Sequence, residues 1–191
     1  MYILLDIGGT KTRIAGSNDL ESICEPVIID TPQKFDEGMA IIVGEARRIA
    51  GSSPINAVAL GIAASPNRQK TSLVGGGPNI SDWADKPLKE NLEEAFGAPV
   101  DIENDTAMGG LAQVMYGPAK GYEIAVYMTI STGVGGCRLV DGRIDKSARG
   151  FEPGWQILSS PTTCNVKSDR SWLGGHCTKG YVETIIGCAC M

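Results

Sequence analysis

The chain has 191 residues, 42% hydrophobic and 20% charged, with 17 basic against 22 acidic side chains and a formal net charge of −5. That size and balance predict a packed core in one sizeable domain or two small ones. With no basic run, no membrane-length apolar stretch and no signal-peptide pattern, nucleic acid and membranes are excluded as expected partners, and a cytoplasmic location is expected.

Residues 2–7, 11–16 and 22–29 read as three strands, with a turn at Ser17-Asn18-Asp19. The first two flank Asp6-Ile-Gly8-Gly9-Thr10-Lys11. Two glycines let the backbone approach a phosphate and aim N–H groups at it. Thr10 adds a hydroxyl, Lys11 a charge, and Asp6 a carboxylate able to hold Mg²⁺ or its waters. An ordinary Gly-Gly hairpin would look the same in isolation. Apolar residues at helical spacing (Met39, Ile42, Val43, Ala46, Ile49) predict a helix from Phe35 to Ala50, and the apolar run from Asn56 to Ala63 predicts a doubly buried strand.

A loop rich in Gly, Pro and Asn follows from Ala64 to Asp82. Within Gly76-Gly-Pro-Asn79-Ile-Ser-Asp-Trp83, Asn79 offers an amide and Trp83 an indole, groups that suit a carbohydrate's hydroxyls and apolar faces. Pro87 to Phe96 reads as a helix stopped by Gly97, and Pro99 to Ile102 as a short strand. Glu103-Asn104-Asp105 then opens a helix to Met115. A carboxylate in a first helical turn is favoured in its ionised form, so Asp105 is either a helix cap or a general base for a hydroxyl.

The strands Tyr122–Ile130 and Gly136–Leu139 enclose Ser131-Thr132-Gly133-Val134-Gly135-Gly136, a second phosphate-cradling hairpin. A strand follows it where a dinucleotide fingerprint needs a helix. An Asp141-Gly142 turn follows, and Gly180 to Ile186 suggests a short helix start. Alternating strands and helices make the class α/β, with a lobe boundary expected between residues 103 and 118.

Of six cysteines, Cys24 and Cys137 read as small core residues. Cys164, Cys177, Cys188 and Cys190 crowd the end of the chain beside His176, the only histidine. Without an export signal this cluster suggests metal binding or free thiols before disulfides. Cys164, His176 and Cys177, with Cys188, form a candidate zinc set, but the spacing matches no common zinc pattern, and no metal is the favoured reading. The terminal Cys188-Ala-Cys-Met191 fits a loose prenylation pattern only by coincidence.

Asp6-Ile-Gly-Gly-Thr-Lys11, Pro78-Asn79-Ile80, Glu103-Asn104-Asp105, Ser131 to Gly136 and Gly150-Phe-Glu152-Pro-Gly154 resemble, in order and spacing, the motifs of the ROK family of bacterial sugar kinases and sugar-responsive repressors. The resemblance implies an actin-like ATPase (ribonuclease H-like) fold of two lobes. Residues 1–103 would form the small lobe, and residues 104–191 the start of a large lobe whose C-terminal part is missing. It implies ATP and Mg²⁺ as cofactors and a hexose, glucose by default, as substrate. Asp105 would be the base; Asn79, Asn104, Glu152 and Glu183 would bind sugar; Asp6, Gly8, Gly9, Thr10, Lys11, Thr132, Gly133 and Gly135 would hold the nucleotide phosphates and their metal. Family members often dimerise, so a homodimer is compatible.

The match departs from the family where Trp155 replaces a histidine and where Gly174, His176 and Tyr181 replace the zinc-loop cysteines. The expected function is ATP-dependent phosphorylation of a hexose. The alternative is a truncated, catalytically impaired sugar-binding relative, and a transcriptional regulator ranks below both.

Overall fold

The computed structural model describes residues 1–75, 80–130 and 134–146. The chain divides into two compact units, Met1–Asp105 and one that begins at Thr106.

In the first unit a five-stranded sheet runs in the order β3-β2-β1-β4-β5. The strands are β1 (Tyr2–Ile7), β2 (Lys11–Ser17), β3 (Val27–Asp30), β4 (Ala57–Ile62) and β5 (Val100–Asn104). β1, β2 and β3 pair antiparallel, β1 with β2 through a tight turn and β2 with β3 through the longer connection 18–26. β4 and β5 join parallel to β1, after crossovers through the helices α1 (Phe35–Ala50) and α2 (Leu88–Phe96).

Strand alternation sends Ile3, Leu5, Ile7, Val58, Leu60, Ile62, Val100 and Ile102 to one face, where they share a core with Phe35, Met39, Ile42, Leu88 and Leu92 of the helices. The other face carries Asp6, Arg13, Asp101 and Glu103, too polar to be buried on the same terms. The apolar periodicity of α1 thus has its cause in one stripe covering one sheet face.

Two expectations are corrected here. The strand predicted over 22–29 forms only from Val27, because the chain first makes an Asx turn. In it Asp19 Oδ1 accepts the N–H groups of Glu21 and Ser22 at 2.9 and 2.8 Å, and Leu20 takes φ +64°. Pro26 then lacks an N–H for the ladder. Cys24, placed on that strand as a core residue, is exposed, its Sγ accepting the Gly16 N–H at 3.1 Å.

Trp83 is the second correction: it presents no face to a sugar. It is fully buried, 5.4 Å from Phe35 in an edge-to-face pair, and its Nε1 donates to the Pro32 carbonyl at 3.1 Å. Its ring lies so close to α1 that a Cβ on Gly38 would sit 2.3 Å from Trp83 Cζ2.

The turn before Trp83 also caps α1. Lys34 at the N-cap makes no side-chain cap bond; Asp82 Oδ2 instead accepts the Phe35 N–H at 2.9 Å. That bond first, then the charges of Lys34 and Lys86, hold the Asp82 carboxyl below the usual carboxylate range. A depressed folded pKa gives stability that is full above the unfolded value, about 4, and lost as pH falls through the folded value. Asp82→Asn is therefore expected to lower the melting temperature at neutral pH, with the gap to wild type closing in acid. Thermal melts from neutral pH downward check this.

The second unit packs α3 (Asp105–Met115), from Thr106 onward, on the sheet β6 (Ile124–Ile130), β7 (Val134–Val140) and β8 (Arg143–Ile144), antiparallel in that order. Ala107, Val114, Cys137 and Leu139 form its buried core, so Cys137 is the core residue expected. Helix and sheet meet closely: a Cβ on Gly110 would lie 2.3 Å from Cys137 Sγ. Asp141 and Gly142 have φ +49° and +71°, as a type I′ hairpin turn requires.

Candidate active site

The parallel register aligns Ile7, Ile62 and Asn104 across β1, β4 and β5, so three strands end together at one edge of the first sheet. In open α/β sheets ligands bind outside the carboxyl ends of such strands. The chain leaves these three ends through the Gly8-Gly9 turn, Ala63-Ala64 and Asp105 respectively. Two strand spacings separate the turn from Asp105, roughly 10 Å.

The first turn is held from within. The Gly8 N–H donates to the Lys11 carbonyl at 2.9 Å, and a Cβ on Gly8 would sit 2.8 Å from that same backbone oxygen, so only glycine fits. Thr31 props the turn from β3: its hydroxyl donates to the Gly8 carbonyl at 2.7 Å and its N–H to the Thr10 carbonyl at 2.9 Å. The Gly8 N–H is thus spent inside the hairpin. Among the described residues the Gly9 and Thr10 N–H groups and the Thr10 hydroxyl have no partner, and Thr10 is exposed. These are the donors left to meet an anion.

The charged residues beside the turn are engaged. Lys11 Nζ lies 2.5 Å from Asp30 Oδ1, with both side chains half exposed or more, and Arg13 Nη1 lies 3.0 Å from Asp6 Oδ2. Exposed pairs of this kind are worth little and exchange readily, so both groups stay within reach of a stronger partner. Asp6 fits a magnesium site of the usual kind, in which one or two carboxylates join waters and substrate phosphates.

Across the edge, Asn104 Nδ2 donates to the Ala64 carbonyl at 3.3 Å, while Glu103 Oε1 accepts the Asn104 N–H at 3.0 Å. Asp105 is the first residue of α3. In the second unit Gly135 has a packing reason to be glycine, since a Cβ there would lie 2.7 Å from Thr106 Oγ1.

Asn79, Thr132, Gly133, Glu152 and Glu183 lie outside the described residues. So do Trp155, the Cys164, His176 and Cys177 set with Cys188, and the helix start at Gly180. Sequence reading missed Thr31, which carries no motif of its own, and the Lys70 side chain on Glu103.

A model of the ROK family matches residues 2–164. The glucokinase of Streptomyces coelicolor is 31% identical over 175 residues, which cover 90% of this chain and 55% of that protein. The xylose repressor of Bacillus subtilis is 29% identical over 153 residues, covering 78% of this chain and 36% of the repressor. Among solved structures, the ROK hexokinase from Thermus thermophilus superposes with a TM-score of 0.70 at 31% identity, over 82% of this chain and 53% of that one. The chain spans about half the length of the glucokinases it matches.

Proposed function

The chain belongs to the ROK family, and from that premise we propose that it carries the phosphate turn and the catalytic base of an ATP-dependent sugar kinase acting on a hexose, glucose first. Its fold is the actin-like ATPase fold. The observation that carries the reading is the shared strand edge: unpartnered donors at Gly9 and Thr10 and the Asn104–Asp105 corner stand at the ends of β1 and β5.

Phosphoryl transfer asks for positioning and charge neutralisation more than for covalent chemistry by the protein. The Gly9 and Thr10 donors would hold phosphate oxygens, joined from the second hairpin by Thr132, Gly133 and Gly135. Asp6 would hold Mg²⁺, which when bound neutralises phosphate charge. Asn104, its amide nitrogen held on the Ala64 carbonyl, would bind sugar beside ligands at Asn79, Glu152 and Glu183. Asp105 takes the proton of the attacking hydroxyl as that oxygen bonds to the γ-phosphorus. The bond from γ-phosphorus to the bridging oxygen breaks, and ADP leaves with that electron pair. We place the lobe boundary at the start of α3 and the protein in the cytoplasm; a homodimer is compatible with this reading.

Similarity to a xylose repressor favours a second reading, a sugar sensor without phosphoryl transfer. A coupled ADP-release assay on the full chain with Mg²⁺-ATP and a small hexose panel separates the two. The kinase reading expects sugar-dependent release. Sugar binding by calorimetry without ADP release would replace it with the sensor.

A further inference from the structure

Between β4 and α2 the chain doubles back at Ser65–Val74. Pro66 bridges Leu73, and the Val74 N–H donates to the Ser65 carbonyl at 2.8 Å. The tip is tied by Asn67. Its N–H reaches the Ser72 carbonyl at 2.8 Å, its Oδ1 accepts the Thr71 N–H at 2.9 Å, and its Nδ2 reaches the hydroxyls of Thr71 and Ser72. At the centre of this tip stands Lys70 with φ +56°, in the left-handed region that favours glycine, its N–H on the Asn67 carbonyl at 3.0 Å.

That conformation sends the lysine to one place. Lys70 Nζ lies 2.5 Å from Glu103 Oε2, and the other oxygen of the same carboxylate accepts the Asn104 N–H. The Glu103 side chain is only 16% exposed, against 49% for Lys70. An ion pair between two exposed groups would count for little, but removing one partner here leaves a largely buried carboxylate unpaired. Glu103 would turn toward water and release the amide of the residue that precedes Asp105.

We propose that Lys70 and Glu103 are positioning residues: their ion pair clamps the Ser65–Val74 hairpin to the end of β5 and holds the Asn104–Asp105 corner in place for catalysis. The catalytic half rests on the reading of Asp105 as base; the clamp does not. A misplacement of about 1 Å in a reacting group lowers kcat while leaving ground-state binding largely intact.

The test uses the full chain and four forms: wild type, Lys70→Met, Lys70→Arg, and the charge swap Lys70→Glu with Glu103→Lys. Amide hydrogen exchange over residues 65–74 and at Asn104 is read without ligand, and kcat and hexose KM with Mg²⁺-ATP. Lys70→Met is expected to speed exchange at these amides. It should also lower kcat on the order of tenfold or more with a smaller change in KM. Lys70→Arg should restore both; the charge swap should restore protection over residues 65–74 but not at Asn104, because a lysine at position 103 cannot accept that N–H, and it tests the ion pair if Lys70→Met does not fold.

Unchanged exchange in Lys70→Met overturns the clamp. Faster exchange with unchanged kcat in an active enzyme overturns the positioning role. Faster exchange in a wild-type background that phosphorylates no hexose supports the clamp and removes the kinase reading instead.

Discussion

Asp105→Asn is expected to lower hexose phosphorylation on the order of 10²–10⁴-fold, the usual contribution of a general base, while leaving the melting temperature close to that of wild type. The asparagine matches the carboxylate in shape and can still accept hydrogen bonds where α3 begins, but it cannot take a proton at neutral pH. The loss therefore falls on kcat, with sugar KM little changed, because the hydroxyl is still bound and only its activation is removed. Steady-state kinetics beside a thermal melt check both halves. An Asp105→Asn enzyme with wild-type kcat would leave the residue a helix-starting aspartate and nothing more.

Trp83→Ala is expected to destabilise the first unit by about 3–5 kcal/mol, the range for a large aromatic removed from a core. The indole has no exposed surface, packs edge-to-face on Phe35, lies against Gly38 of α1 and satisfies the Pro32 carbonyl. All of these contacts fall between the start of α1 and the turn that caps it through Asp82, so a cavity there loosens the helix that covers the sheet. Trp83→Phe fills part of the space, loses the Nε1 donor and should fall between wild type and alanine. Equilibrium urea unfolding measures the series. If alanine cost less than about 0.5 kcal/mol, the usual scale for a surface substitution, Trp83 could not be a core residue.

The contrast between Trp83 and the other elements shows what a sequence can carry. α1 begins and ends as its periodicity predicts, because one stripe of Phe35, Met39, Ile42 and Ala46 has one sheet face to cover. α3 begins at Asp105 and ends at Met115, as its sequence pattern predicts. The Gly8-Gly9 turn is legible as two strands around Gly-Gly, but which N–H groups stay free is not. That depends on Thr31, brought under the turn by β3, and on the inward bond of Gly8. Trp83 in a polar loop reads as a sugar platform, and only the approach of α1 makes it a core side chain. The Lys70–Glu103 pair joins residues 33 apart in sequence through a lysine in a backbone region lysine seldom adopts, and no local pattern announces it. Asp82 is hidden for the same reason, capping a helix that starts 47 residues before it.

Local patterns thus give the elements, and the strand register gives the site. Ile7, Ile62 and Asn104 are aligned by pairing between segments far apart in the chain, and that alignment puts the donor-bearing turn and the acidic corner on one edge. On the proposed kinase reading, a sugar hydroxyl and the terminal phosphate of ATP would meet there.

The most direct measurement is phosphorus NMR of the full chain with Mg²⁺-ATP and glucose, run in parallel with Asp105→Asn. A sugar phosphate resonance that grows with ADP in the wild-type sample, and not in the variant, is the result predicted. Folded wild-type protein that leaves ATP and every hexose of the panel unchanged would contradict a phosphotransferase at this site.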